Sequence, residues 1–231
     1  MTKNKIKVFV DGPEISEINE FLNLDGFTFN PSLFKKLGAK DYLGFTKEIL
    51  AETKNKPVSI EVFADDEENC FNQAKKIASL NKNVYVKIPI TYTNGNSTKN
   101  LIKKLSGEGI LLNITAIFTL EQVKEISSSL EDKRHILSIF SGRLYDIGID
   151  AFEVFRDITS FAHNNTKCET LWASCRMAYD LKSAEEAGGD IITMTPQFIR
   201  KLKLIGKNPS KYSLETVKWF LKKKKKAGYK I

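Results

Sequence analysis

The residue with the clearest chemical potential is Lys87. It sits in Val84-Tyr85-Val86-Lys87-Ile88-Pro89, a run rich in β-branched and aromatic residues that predicts a strand. An ammonium held among apolar walls is destabilised, and the neutral amine it releases attacks carbonyl carbon. The same lysine could instead be structural, paired with a carboxylate and solvated at a rim. Other polar residues recur within or at the ends of further apolar runs: Asp11, Thr28 with Asn30, Glu61, Asn113 with Thr115, Ser138 before Phe140, and Ser174 before Arg176. Each is costly to bury unless hydrogen-bonded, so their recurrence at matching depth argues for shared chemistry rather than one structural lysine. A thiol nucleophile is a second idea, from Ser174-Cys175 beside Trp172. Cys175 takes the parity opposite to Ser174, however, and reads as an inert packed thiol.

Eight strand-like stretches must position these side chains: Lys7–Asp11, Gly26–Asn30, Val58–Val62, Val84–Ile90, Ile110–Phe118, His135–Ser141, Glu169–Cys175 and Ile191–Thr195. Between most of them apolar residues recur three or four apart, predicting helices over Ser32–Lys54, Asp66–Leu80, Ser97–Leu105, Leu120–Leu130, Asp150–His163 and Arg176–Ala187. Strict alternation of strand and helix predicts a parallel sheet. Eight such units imply a closed (β/α)8 TIM barrel of the α/β class, in a single domain with an extra C-terminal helix. A doubly wound sheet would carry a glycine-rich phosphate loop after its first strand, and none is present. Because strand side chains alternate, the polar residues of one parity point into the barrel mouth, while Val84, Val86 and Ile88 pack under helices.

The whole composition is compatible with this. A chain of 231 residues with 42% hydrophobic content can bury a sizeable core. The start, Met1 to Lys7, lacks the apolar stretch of a signal peptide, and no run is long enough to span a bilayer. Three cysteines, Cys70, Cys168 and Cys175, with no CxxC spacing suit reduced thiols in a cytoplasm, and with only His135 and His163 besides, no metal site is expected. The net charge of +8 suits an anionic, phosphorylated substrate. Part of it lies in Lys222 to Lys226, which reads as a nucleic-acid or membrane patch or as the solvated end of a helix. The second reading is preferred, because lysines near a helix C-terminus favour the macrodipole.

On these residues the sequence resembles the transaldolase family. The matching stretches are Gly26 to Leu33, Val58 to Val62, Val86-Lys87-Ile88-Pro89, Asn113-Ile114-Thr115, Phe140-Ser141-Gly142-Arg143 with Asp146 and Gly148, Ala173-Ser174-Cys175-Arg176, and Asp190 to Pro196. They fall in the family's order and cover nearly the whole chain. The length resembles the short branch, whose members assemble into rings of five or ten and include both transaldolases and fructose 6-phosphate aldolases.

The resemblance implies a cofactor-free enzyme of the pentose phosphate pathway that moves a dihydroxyacetone unit between phosphorylated sugars. It implies that Lys87 forms the Schiff base, that Glu61 moves protons through a water held by Thr115, and that Asp11 takes the proton from the C4 hydroxyl. Thr28, Asn30, Asn113, Ser138 and Phe140 would contact the sugar, and Arg143, Ser174 and Arg176 the phosphate. Two positions depart from the family: Phe29 replaces a second threonine, and Gly12-Pro13 follows the first-strand aspartate where a small hydroxylated residue is usual. By parity Phe29 faces the helices. A lyase of the same fold that releases free dihydroxyacetone is the nearest alternative. A non-catalytic basic barrel binding nucleic acid is a distant one, and it gives no reason for inward Glu61 and Asp11.

Overall fold

A computed structural model describes residues 5–130 and 133–227, with side chains of all but 225–227. Eight strands, β1 (Lys7–Asp11), β2 (Gly26–Thr28), β3 (Val58–Glu61), β4 (Val84–Pro89), β5 (Leu112–Ile117), β6 (Ile136–Ile139), β7 (Glu169–Trp172) and β8 (Ile191–Met194), pair in sequence order. All pairs are parallel, and β8 closes the sheet on β1. The expected (β/α)8 barrel is therefore present. Each strand lies within a stretch expected from the sequence, trimmed by up to three residues at either end.

The helices are α1 (Pro31–Lys36), α2 (Tyr42–Glu52), α3 (Glu67–Ala78), α4 (Lys99–Gly107), α5 (Leu120–Ser127), α6 (Ser141–Asp146), α7 (Ala151–Asn165), α8 (Asp180–Glu186), α9 (Pro196–Lys201) and α10 (Pro209–Ala227). Helices α1 and α2 correct the single expected helix Ser32–Lys54. Leu37 ends the first against Gly38 at φ +82°, and the Asp41 side chain caps the second by accepting from the Gly44 N–H. A 3-10 stretch, Ile15–Phe21, and the short α6 have no counterpart in the expected elements.

Contacts divide the chain into two units, Met1–Ile199 with the barrel and Arg200–Ile231 with α10. Within the second unit α10 carries exposed Leu214, Val217, Trp219, Phe220 and Leu221, and Lys222 to Lys224 are exposed. The side chains of Lys225 and Lys226, and Met1 to Asn4 of the polar start, lie outside the described residues. No helix among the described residues is long and apolar enough to cross a membrane.

The barrel interior is layered by parity. Phe9, Ile136, Leu171, Ala173 and Ile191 form a buried cluster that Tyr85 and Phe140 join, so the interior is filled by side chains up to the C-terminal mouth, where barrel active sites lie. On the outer face of β3 and β4, Val58, Ile60, Val84, Val86 and Ile88 are almost fully buried, as helices covering a parallel sheet require. Phe29 is fully buried and meets Phe34 of α1 edge-on at 5.8 Å, so the departure from the family's threonine is a packing matter on the helix side.

Candidate active site

Register sets the site. Glu61 lies opposite Lys87 and Lys87 opposite Asn113, while Asp11 lies opposite Thr28. The inward residues of five strands thereby reach similar depth. At that level opens a cavity of about 200 Å³ lined by Asp11, Thr28, Asn30, Lys87, Thr115, Ser138, Phe140, Arg143, Ala173, Ser174 and Thr193.

Lys87 is 7% exposed, and its Nζ lies 3.0 Å from Glu61 Oε2. The neighbours on its own strand are apolar, but its amine is not among apolar walls. The carboxylate comes from the adjacent strand, a contact that β3–β4 pairing creates and that no local sequence window displays. Such a pair can hand a proton from the ammonium to the carboxylate when a carbonyl arrives. Glu61 does not itself line the cavity; it stands behind the lysine.

Asp11 accepts a hydrogen bond from Thr28 Oγ1 at 2.7 Å. Burial pushes its carboxyl above the usual carboxylate range, opposed by the Lys87 charge and by the Thr28 hydrogen bond. Gly12 follows at φ +59°, in the left-handed region, and donates its N–H to the Thr28 carbonyl. A Cβ there would come within 2.7 Å of the Leu33 side chain, so glycine suits the turn that leads away from Asp11.

Asn113 is fully buried beneath the cavity. Its Nδ2 donates to Ser59 Oγ at 3.0 Å and its Oδ1 accepts from Ser138 Oγ at 2.7 Å, which fixes the amide orientation. Thr115 is 2% exposed, and its hydroxyl has no hydrogen-bond partner among the described residues, a state that a buried polar atom rarely keeps without solvent or ligand. The next residue, Ala116, has φ +59°, and the β5–β6 register slips between Ile114 and Ile117. This bulge turns the strand end beside the site. Asn30 spends its Oδ1 on capping α1, accepting from the Leu33 N–H at 2.9 Å, so only its Nδ2 can donate towards the cavity.

The two arginines separate. Arg143 lines the cavity and stacks over the Phe140 ring at 5.4 Å. Arg176 does not line it; its Nε and Nη2 are engaged by the Asp146 carboxylate, with Nε to Oδ1 at 3.0 Å. Ser174, between them, adopts φ +64°, an uncommon conformation for a residue with a side chain. The Ser174 carbonyl abuts Gly142 so closely that a Cβ on Gly142 would sit 1.6 Å from its oxygen. The Ser141-Gly142-Arg143 sequence therefore needs its glycine to let the β7 loop cross.

Nine of the twelve expected residues line the cavity; Glu61 and Asn113 reach it through Lys87 and Ser138, and Arg176 is held away from it by Asp146. Sequence reading passed over Ser59 and Thr193. Both take the inward parity in apolar strands, as Glu61 and Ile191 do, and a hydroxyl at that parity was the available signal. Cys175 is buried, its Sγ 3.1 Å from the Thr193 carbonyl, and burial pushes its thiol well above its ordinary value, in keeping with a packed thiol.

An eight-stranded parallel barrel with an amine, two carboxylates and hydroxyls gathered at its C-terminal mouth places the chain in the class of TIM-barrel proteins. The family described as Transaldolase/Fructose-6-phosphate aldolase matches residues 8–231. A probable transaldolase of Parvibaculum lavamentivorans is 36% identical over 202 residues, 85% of this chain and 88% of the relative. Another, of Brucella melitensis, is 35% identical over 231 residues, 98% and 100% of the two chains. Among solved structures, a putative phosphonomutase from Burkholderia cenocepacia superposes with a TM-score of 0.60 at 10% identity over 94% of each chain, a likeness of fold alone. The chain belongs to the transaldolase and fructose-6-phosphate aldolase family.

Proposed function

We propose that this protein is a transaldolase that carries a dihydroxyacetone unit between phosphorylated sugars as a Schiff base on Lys87, without a cofactor. The observation that carries the reading is the Lys87–Glu61 pair at 3.0 Å, on a cavity that Asp11 also lines. Glu61 accepts a proton from the lysine, and the freed amine attacks the ketone carbon of the donor. Glu61 then returns a proton to the carbinolamine oxygen through a water held by the Thr115 hydroxyl, and water leaves to give the iminium. Asp11 removes the proton from the C4 hydroxyl; the C3–C4 bond breaks, its electrons enter the iminium as an enamine, and an aldehyde departs. An acceptor aldehyde enters and the steps reverse. Thr28, Asn30, Ser138 and Phe140 hold the dihydroxyacetone portion, with Asn113 fixing Ser138 from beneath, and Arg143 with Ser174 binds the phosphate, joined by Arg176 once its guanidinium leaves Asp146.

Transfer is favoured over release by Phe140 on the cavity wall, since a phenyl ring has no proton to give to the waiting enamine. Such an enzyme serves pentose phosphate interconversion in a cytoplasm, needs neither nucleic acid nor membrane, and assembles as a homo-oligomer of five or ten copies. Borohydride reduction with fructose 6-phosphate should leave a stable adduct on the peptide containing Lys87. An adduct on another lysine, or full activity in Lys87→Ala, overturns the reading. Product analysis with erythrose 4-phosphate then separates transfer from release of free dihydroxyacetone.

A further inference from the structure

One hydroxyl on the cavity wall has no part in the steps above. Thr193, in the middle of β8, is 6% exposed and lines the cavity, and its Oγ1 lies 2.6 Å from Thr28 Oγ1. Thr28 Oγ1 is in turn 2.7 Å from Asp11 Oδ1. The three side chains, from β8, β2 and β1, form an unbroken chain of hydrogen bonds. Strand pairing holds it rigid: β1 lies between β2 and β8, and the Thr193 carbonyl accepts from the Cys175 thiol.

The direction of this chain follows from counting hydrogens. A hydroxyl has one hydrogen and can accept twice, whereas an ionised carboxylate can only accept. With Asp11 ionised, Thr28 must give its hydrogen to Asp11, so the short contact with Thr193 requires Thr193 to donate to Thr28. With Asp11 protonated the carboxyl becomes a donor, and both bonds can reverse: Asp11 to Thr28, Thr28 to Thr193. The hydrogen of Thr193 is then released towards the cavity, where the departing aldehyde can accept it.

We infer that Thr193 is a positioning residue for the bond-breaking step, acting through Thr28 to hold Asp11 as an oriented carboxylate and to accommodate its protonated form by reversing the chain. This rests on Asp11 being the base of the proposed reaction. The proton taken from the C4 hydroxyl stays on Asp11, the C3–C4 electrons remain in the enamine, and the two threonines exchange hydrogen bonds but no protons.

The other groups acting on Asp11 are Lys87 from β4 and Glu61 from β3, with the Cys175 thiol following β7. Among the described residues, the hydrogen bond from Thr28 is the one that reaches the carboxylate directly, so loss of the donor behind Thr28 weakens what opposes burial. The test is the pH dependence of kcat/KM for transfer from fructose 6-phosphate, in the unmodified protein and in Thr193→Val, Thr193→Ala and Thr193→Ser. In the valine and alanine variants the acid limb should move up by about half to one pH unit, the shift given by losing part of one hydrogen bond. Serine should restore it, and borohydride trapping at Lys87 should persist in all three. Should valine upset the packing of β8, the alanine variant carries the same test. A limb that stays in place, or a loss equal at every pH and not rescued by serine, overturns the inference while leaving the proposed function standing. Absence of a Lys87 adduct in the unmodified protein would instead remove the function on which it rests.

Discussion

Arg143 and Arg176 look alike in the sequence and differ in the structure. Arg143 faces the cavity from above Phe140, whereas Arg176 is already held by Asp146. A charged hydrogen bond to phosphate contributes roughly 1.5–3 kcal/mol. Arg143→Ala should therefore lower kcat/KM for phosphorylated sugars by roughly ten- to 150-fold. Arg176→Ala should lower it less, because its guanidinium must first leave a carboxylate. Steady-state rates with phosphorylated and unphosphorylated acceptors check this; an equal fall for both acceptor types would make the arginines structural. Phe140→Tyr places a proton donor on the same wall, and should raise cleavage without acceptor relative to transfer, read from free dihydroxyacetone. Phe140 was legible in the sequence because it continues the inward parity of Ser138, whereas Arg143 lies on α6, and Ser174 and Arg176 take the parity opposite to inward Leu171 and Ala173, Ser174 reaching the cavity where its φ of +64° breaks the alternation. The Lys87–Glu61 pair and the Asp146–Arg176 pair were not legible, because each joins residues that only strand pairing or loop crossing brings together.

At the level of elements, the β6 and β7 loops depend on one another through Gly142. A methyl group there meets the Ser174 carbonyl oxygen at 1.6 Å, and both backbones must move to relieve it. Overpacking of this kind usually costs about 1–3 kcal/mol, so Gly142→Ala should lower the unfolding midpoint and weaken phosphate discrimination together. Thermal unfolding combined with the same rate ratios would detect it; a stable variant with normal discrimination would show that the loops adjust independently. The eight strands were legible because period-two alternation and β-branched content survive in short windows. The break between α1 and α2 was hidden, because apolar residues keep helical spacing through Leu37; the left-handed Gly38 ends α1, and Phe34 meets Phe45 across the break at 5.0 Å. The cap of α1 by Asn30 was similarly masked by its expected place in a longer β2.

At the scale of the whole molecule, two histidines contribute to the response to acid in opposite senses. His135 is fully buried, accepting from the Leu112 N–H at Nδ1 and donating to Ser106 from Nε2, which leaves no room for a second proton. Burial lowers its pKa from 6.5 to about 4, so native stability falls across that window, by on the order of 3 kcal/mol at most. His163, hydrogen-bonded to Asp190 at 2.8 Å, is raised instead, and its contribution is present below pH 6.5 and fades as pH rises through its native value. His135→Gln should flatten the fall in unfolding midpoint on acidification, and a slope unchanged by that substitution would exclude His135 as its source. The three free thiols have a different consequence. Cys70 on α3, Cys168 before β7 and Cys175 after it are all buried, the last two at opposite ends of one strand, so each is shielded by its own sector of the structure. A thiol-modifying dye can reach each only when its own sector opens. The rate at which each cysteine is labelled in buffer thus times the breathing of that part of the wall, giving the chain three built-in clocks and no need for an engineered probe.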